Sequence, residues 1–263
     1  MSAPASSESL VVTREGAVAT LWLNRPERRN AVDFDLWVGI RNVCRQLASD
    51  RTVRVLVVRG VGGHFCAGAD IGGLGSHADA RYADANRAAE EHLTGFPKPT
   101  IAFISGACVG GGVQLALACD LRIADHTARF GITPARLGII YPPFALARAV
   151  RLLGPSAVKH LVFSAELIDA QRALRIGLVD EVHEPNAATD RVTAFTALLA
   201  TERSLLTQQA TKEMIDAIVH HGAVDDTLIQ RWAEALRRSP DMNEGIAAFQ
   251  ERRPPKFTWT GLD

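Results

Sequence analysis

Residues 104–120, ISGACVGGGVQLALACD, pass from an apolar run of strand character through three consecutive glycines directly into an apolar run of helical character. Few segments restrict a fold more. Glycines at that junction let another group approach the main chain, and the first N–H groups of the helix that follows are left unpaired and pointing outward. Hydrogen bonding and the helix dipole both favour negative charge there. A similar passage occurs earlier, where the short apolar run VRVLVVRG at 53–60 leads into VGGHFCAGADIGGLG. Strand, glycine loop and helix therefore recur, once around Gly68-Ala69-Asp70 and once around Gly110-Gly111-Gly112, which suggests related turns lying side by side.

Three occupants are conceivable. A nucleotide phosphate fits poorly, because neither a Gly-Lys-Ser/Thr ending nor a G-x-G-x-x-G unit is present. An oxyanion formed during a reaction fits if the two loops each supply one donor. The glycines could also serve only the close packing of a helix on a sheet.

The remaining pattern frames these loops. SLVVTREGAVATLWLNRP reads as a hairpin turning at Arg14-Glu15-Gly16, and 33–50 as a helix capped by Asp33, with Leu36, Ile40, Val43 and Leu47 on its buried face. A polar, Ala-rich helix is expected at 77–94 and a strand in FPKPTIAFISG. Beyond residue 142 helices dominate, with long ones near 190–200, 204–221, 224–238 and 241–252. Pro185-Asn186 marks the expected boundary between a β-rich unit, 1–185, and a helical unit, 186–263.

Composition excludes more than it selects. Acidic and basic residues number 29 each, so no net field draws the chain to nucleic acid or to an anionic membrane. The 47% hydrophobic content suffices for a core without metal or disulfide staples, and the four cysteines lack paired metal spacing. No apolar stretch reaches the ~18–20 residues of a membrane span, and the opening MSAPASSESL is not built like a signal segment. The expectation is a cytoplasmic protein in a reducing compartment, with no metal and no separate cofactor.

HFCAGADI at 64–71 followed by PTIAFISGACVGGGVQLALACDLRIAD strongly resembles the crotonase superfamily, the enoyl-CoA hydratase/isomerase family. LNRPERRNA at 23–31, RFGITPARLGI at 129–139 and the A-x-x-A-x-x-x-G-L-V run from Ala170 to Val179 extend the likeness over nearly the whole chain. The resemblance implies an α/β fold of the crotonase type, a spiral of ββα turns with a C-terminal helical trimerisation region. It further implies a homotrimer or hexamer acting on an acyl-CoA thioester, with coenzyme A entering as part of the substrate. Carried over by position, the main-chain N–H groups of Ala69 and Gly111 become the oxyanion donors, while Ala67, Asp70, Ile71, Gly72, Gly110 and Pro134 line the substrate site. For Asp70, capping of the following turn is the competing role.

Hydratases of this family use two glutamates, because water must lose a proton and the α-carbon gain one. At those positions this chain has Gln114 and Pro134, neither of which exchanges a proton near neutral pH. The later position used by some relatives, within Leu137 to Pro143, also lacks a carboxylate. The T-P-x-x-L-G-x-x-Y pattern ending at Tyr141 is similar instead to the methylmalonyl-CoA decarboxylase branch, although that branch carries His where this chain has Ala69. Loss of CO₂ from a malonyl-type thioester needs an oxyanion hole and no base. Tyr141 would then orient the leaving carboxylate or help return a proton, or simply form a wall, and Gln114 would donate to substrate. Hydration or isomerisation with a relocated acid, from Asp79, Asp84, Glu90 or Glu91 on the 77–94 helix, is the alternative; a catalytically weakened acyl-CoA binding subunit is another. His64 is read as an exposed loop residue. RNA binding, known for one relative with a Lys-rich early helix, is disfavoured because 33–50 holds only Arg41 and Arg45 as basic residues.

Overall fold

The computed structural model describes residues 6–70 and 80–261. Strands β1 (Leu10–Glu15) and β2 (Val18–Leu23) form the expected antiparallel hairpin, turning through Gly16 at φ +59°. To its inner edge β3 (Val55–Gly60), β4 (Thr100–Ile104), β6 (Leu121–Asp125) and β9 (Glu181–His183) add in parallel, giving a six-stranded sheet of order β1-β2-β3-β4-β6-β9. A second, small sheet of order β5-β7-β8 comprises β5 (Ala107–Val109), β7 (Arg129–Gly131) and β8 (Ile168–Asp169), and a single bridge between Cys66 and Cys108 joins the first glycine loop to it. Two successive passes of the chain thus place one strand in each sheet, β4 with β5 and β6 with β7. This is the ββα spiral.

Ten helices are described: α1 (Phe34–Ser49), α2 (Ala80–Thr94), α3 (Gly111–Ala118), α4 (Pro143–Leu153), α5 (Pro155–Ser164), α6 (Ala170–Arg175), α7 (Pro185–Thr201), α8 (Leu205–His221), α9 (Asp226–Arg238) and α10 (Asp241–Glu251). The Asp33 side chain accepts the Leu36 N–H at 2.9 Å and so opens α1, whose Leu36, Trp37, Ile40, Cys44 and Leu47 are buried. Val43, partly buried, packs against the same core. At the other end the Lys98 ammonium donates to the carbonyls of Leu47 at 3.0 Å and Asp50 at 2.6 Å, closing orphan acceptors of the last turn. The only Lys in the first 158 residues thus serves a helix terminus.

The parallel strands read as unbroken apolar runs because both faces of the sheet are covered. Leu21, Leu56, Val58, Ala102 and Ile104 face the main core with α1, α2 and α3, whereas Val18, Val55, Val57, Ile101, Phe103 and Ile123 face a second core. That second core is closed by Ala188, Val192 and Ala200 of α7. Burying each such valine contributes roughly 1.5–3 kcal/mol, so α7 is tied to the sheet by packing as well as by chain connection. Between these layers Arg59 stacks across its strand neighbours, 4.5 Å from the Trp22 ring and 4.4 Å from that of Phe103. All four cysteines are buried free thiols, and burial pushes the Cys44 and Cys66 thiols up to about 12. No described helix is long and apolar enough to cross a membrane.

Candidate functional site

The first glycine loop is held by the segment LNRPERRNA. Asn30, fully buried at φ +60°, donates through Nδ2 to the carbonyls of Val61 at 2.9 Å and His64 at 2.7 Å, and its Oδ1 accepts the Arg25 N–H. The Arg29 carbonyl takes the Ala67 N–H at 2.9 Å, the Val32 N–H donates to the Gly68 carbonyl at 2.8 Å, and the Val32 carbonyl takes the Asp70 N–H at 3.0 Å. Bonds on both sides of Ala69 thereby set its peptide in place and leave its own N–H without an acceptor among the described residues. The Asp70 carboxylate pairs with Arg25 at 2.9 Å and Arg28 at 3.4 Å, and Arg25 reaches on to Asp33. This ion-pair cluster explains why an acidic residue stands at the loop exit.

The second loop lies alongside the first. Phe65 N–H donates to Ser105, Cys66 N–H to Ala107, and Val109 N–H back to Cys66, each within 2.8–2.9 Å. His64 is half-buried rather than exposed, because it belongs to this ladder, its Nδ1 accepting the Ala107 N–H at 3.1 Å. The chain then turns at Gly110, with φ +52° and ψ −109°, a conformation that suits glycine alone. Gly111, the first residue of α3, has no acceptor for its N–H among the described residues.

The two loops meet. A Cβ placed on Gly111 would stand 3.7 Å from the Ala69 nitrogen and 3.3 Å from the Trp37 ring, and one placed on Gly68 would stand 3.8 Å from the Gly111 nitrogen. Two unpartnered main-chain N–H groups from separate loops therefore occupy one small volume, at the positively polarised end of α3. Gly112 is required for the approach itself, since a Cβ there would lie 2.3 Å from the Cys66 carbonyl oxygen.

Behind this corner lies a buried polar group. Gln114 donates through Nε2 to Asn86 Oδ1 on α2. One turn further along α2, Glu90 is buried, with Oε1 accepting from Arg148 Nε at 2.7 Å and Oε2 without a hydrogen-bond partner among the described residues. Burial raises the Glu90 carboxyl above its ordinary value, and Arg148 pulls it back only in part. Tyr141, also buried, directs its hydroxyl to the Gly110 carbonyl at 2.9 Å. Trp37 Nε1 donates to the Tyr82 hydroxyl at 3.0 Å, which joins α1 to α2 beside Gly111.

Of the residues expected from the sequence, Ala69, Gly110 and Gly111 come together, with Gln114 one turn along α3 and Tyr141 against Gly110. Pro134 is buried at the start of a 3₁₀ turn, Pro134–Arg136, where its carbonyl accepts from Leu137 and Ile139. Ala67 is half-buried and serves the loop through its bond to Arg29. Ile71, Gly72 and Asp79 lie outside the described residues. Asp84 is an exposed partner of Arg87, which suits a solvated face, but Glu90 on the same helix is not solvated. Asn86, Arg148, Trp37 and Tyr82 adjoin this candidate site and are not singled out by the sequence. The signal it does carry is the placing of Asn86 and Glu90 one turn apart beside Ala85 and Ala89, because a stripe of alanines lets two helices close on polar side chains.

A model of the enoyl-CoA hydratase/isomerase family matches residues 13–260. The chain is 34% identical over 247 residues to the (E)-benzylidenesuccinyl-CoA hydratase of Thauera aromatica, covering 91% of this chain and 95% of that protein. It is 32% identical over 251 residues to the mitochondrial methylglutaconyl-CoA hydratase of Mus musculus, covering 91% and 79%. A crystal structure of an enoyl-CoA hydratase/carnithine racemase from Magnetospirillum magneticum superposes with a TM-score of 0.91 at 31% identity, over 96% of each chain.

Proposed function

Because the chain belongs to the enoyl-CoA hydratase/isomerase family and has the crotonase fold, we propose that it binds an acyl-CoA thioester and stabilises the derived enolate between the N–H groups of Ala69 and Gly111. What supports this reading is the pair of unpartnered amides from separate loops, since a developing oxyanion is held best by donors already in place. Each such donor is worth about 3 kcal/mol of transition-state stabilisation. Coenzyme A would enter as part of the substrate.

The reaction favoured is decarboxylation of a malonyl-type CoA ester, as in the methylmalonyl-CoA decarboxylase branch. Breaking the bond to CO₂ sends its electron pair into the thioester, which becomes the enolate, and one proton then returns to carbon. No base is needed, in keeping with Gln114 and Pro134 at the positions of the two hydratase glutamates. Tyr141 fits less well as a donor to the leaving carboxylate, because its hydroxyl proton is directed to Gly110.

One observation favours a second reading, hydration or double-bond isomerisation with a relocated acid. Glu90 is a buried carboxyl of raised pKa whose Oε2 accepts no hydrogen bond among the described residues. It sits one turn along α2 from Asn86, which takes the Gln114 amide of α3, and the Thauera aromatica and Mus musculus relatives are hydratases. Turnover of malonyl-, methylmalonyl- and enoyl-CoA esters, followed as CO₂ release, double-bond loss or double-bond shift, separates the readings. Glu90→Gln should leave CO₂ release intact if the first holds and abolish hydration or isomerisation if the second does. Binding of every ester without turnover of any would leave an acyl-CoA binding subunit. Copies of the chain are proposed to assemble as a trimer or paired trimers, covering the apolar side chains that α8 and α10 expose, among them Ile218, Ile246 and Phe249.

A further inference from the structure

The contact between Tyr141 and Gly110 concerns the same peptide unit that carries the Gly111 N–H. In a trans peptide the carbonyl oxygen and the following N–H point in opposite directions across one rigid plane, and the chain contains no cis peptide among the described residues. Fixing the Gly110 oxygen therefore fixes the direction of the Gly111 N–H. Two donors fix it: the Gln114 N–H at 3.1 Å, which any helix start would supply, and the Tyr141 hydroxyl at 2.9 Å, which only this side chain supplies. Gly110 has no preferred helical geometry to hold the plane by itself, as its φ of +52° and ψ of −109° show, and its own N–H is anchored separately on Gly131 at 2.8 Å.

We propose that Tyr141 is a positioning residue of the oxyanion site, its hydroxyl aiming and polarising the Gly110–Gly111 peptide so that the Gly111 N–H is presented to the thioester oxygen. The inference rests on the reading of Ala69 and Gly111 as oxyanion donors. A hydrogen bond accepted by a carbonyl strengthens the amide donor at the other end of the same peptide, and the low-dielectric surroundings preserve that effect. Burial pushes the Tyr141 phenol far above its ordinary value, with the neighbouring Glu90 charge acting in the same direction, so the proton stays on oxygen throughout the neutral range. The ring is seated firmly enough to hold the hydroxyl in place, since Tyr141 is 7% exposed inside the main core while its neighbour Ile140 is 89% exposed. The role differs from that of a pocket wall, which would need the ring but not the hydroxyl.

The experiment measures the carbonyl stretch of butyryl-CoA, ¹³C-labelled at the thioester carbon, bound to the wild-type protein and to Tyr141→Phe, with the dissociation constant and thermal midpoint of each. The expected result is a lowered stretch on wild type and a substantial part of that shift lost in Tyr141→Phe, at a dissociation constant changed less than about threefold and a turnover reduced about tenfold. An unchanged stretch in a folded Tyr141→Phe overturns the inference while leaving the oxyanion reading intact. No shift on wild type, with the ester bound, overturns that reading and the inference with it. Should Tyr141→Phe not fold, the two tyrosines of the chain, Tyr82 and Tyr141, permit a graded version. In Tyr82→Phe protein made with 3-fluorotyrosine, the stronger phenol donor should lower the bound stretch further, and absence of any response overturns the role.

Discussion

Gly111 and Gly112 are adjacent, yet they are required for different reasons, and substitution separates them. A methyl on Gly112 would meet the Cys66 carbonyl oxygen at 2.3 Å, a contact that only backbone movement relieves. Gly112→Ala is expected to destabilise the fold by about 2 kcal/mol or more, read from urea unfolding. A methyl on Gly111 would stand 3.3 Å from the buried Trp37 ring, a tight contact that a small shift must relieve, and 3.7 Å from the Ala69 nitrogen, in the space an oxyanion would use. Gly111→Ala should therefore cost less stability than Gly112→Ala while losing about 100-fold in kcat/KM. Glu90 makes a prediction in pH. Its raised value means that the native state binds a proton more readily than the unfolded chain, so its stabilisation is complete below the unfolded value and is lost as pH rises through the folded one. Glu90→Gln keeps an acceptor for Arg148 and removes that loss, so the variant should gain on wild type in thermal midpoint as pH rises above the ordinary carboxylate range; a constant difference would contradict the assignment. At this scale the glycines are legible in the sequence because their requirement is local to the backbone. The partner of Tyr141 is not, since a phenol's acceptor is decided by tertiary packing.

Among the elements, α1 shows what a pattern can and cannot say. Its capping Asp33 and the spacing of Leu36, Ile40 and Leu47 state both its start and its buried face, and the structure agrees. Its closure by Lys98, from a loop about fifty residues away, has no signature in the helix itself. Lys98→Met should leave the Leu47 and Asp50 carbonyls short of a charged donor and cost about 1.5–3 kcal/mol, measured by chemical denaturation. The strands behave likewise. The continuous apolar runs at 53–60 and 100–104 signal burial on both faces but not which helix covers each, and α7 on the second face emerges only from the assembled sheet.

For the whole molecule, the hairpin, β3, β4 and the succession of helices are legible in the sequence, whereas β5 to β9, of two to five residues each, are too short to show a period of their own. The long helices α7 to α10 fall close to the ranges expected. What they pack against is a different matter, as amphipathic helices carry no address for their partners. Helices α8, α9 and α10 leave Ile215, Ile218, Val219, Ile229, Ile246 and Phe249 exposed, an apolar content that a self-associating chain would bury. Sedimentation equilibrium is expected to give three or six chain masses, and Phe249→Asp with Ile246→Asp to shift the population toward smaller species. A monomer at all concentrations would rule the assembly out.

The bridge between Cys66 and Cys108 has a wider implication. It joins the two bends into one frame of main-chain atoms, so the placing of the Ala69 and Gly111 amides rests on backbone pairing before any side chain is considered. On the proposed reading, side chains around that frame can be exchanged and the reaction altered with them, while the two amides stay where the strand pairing puts them.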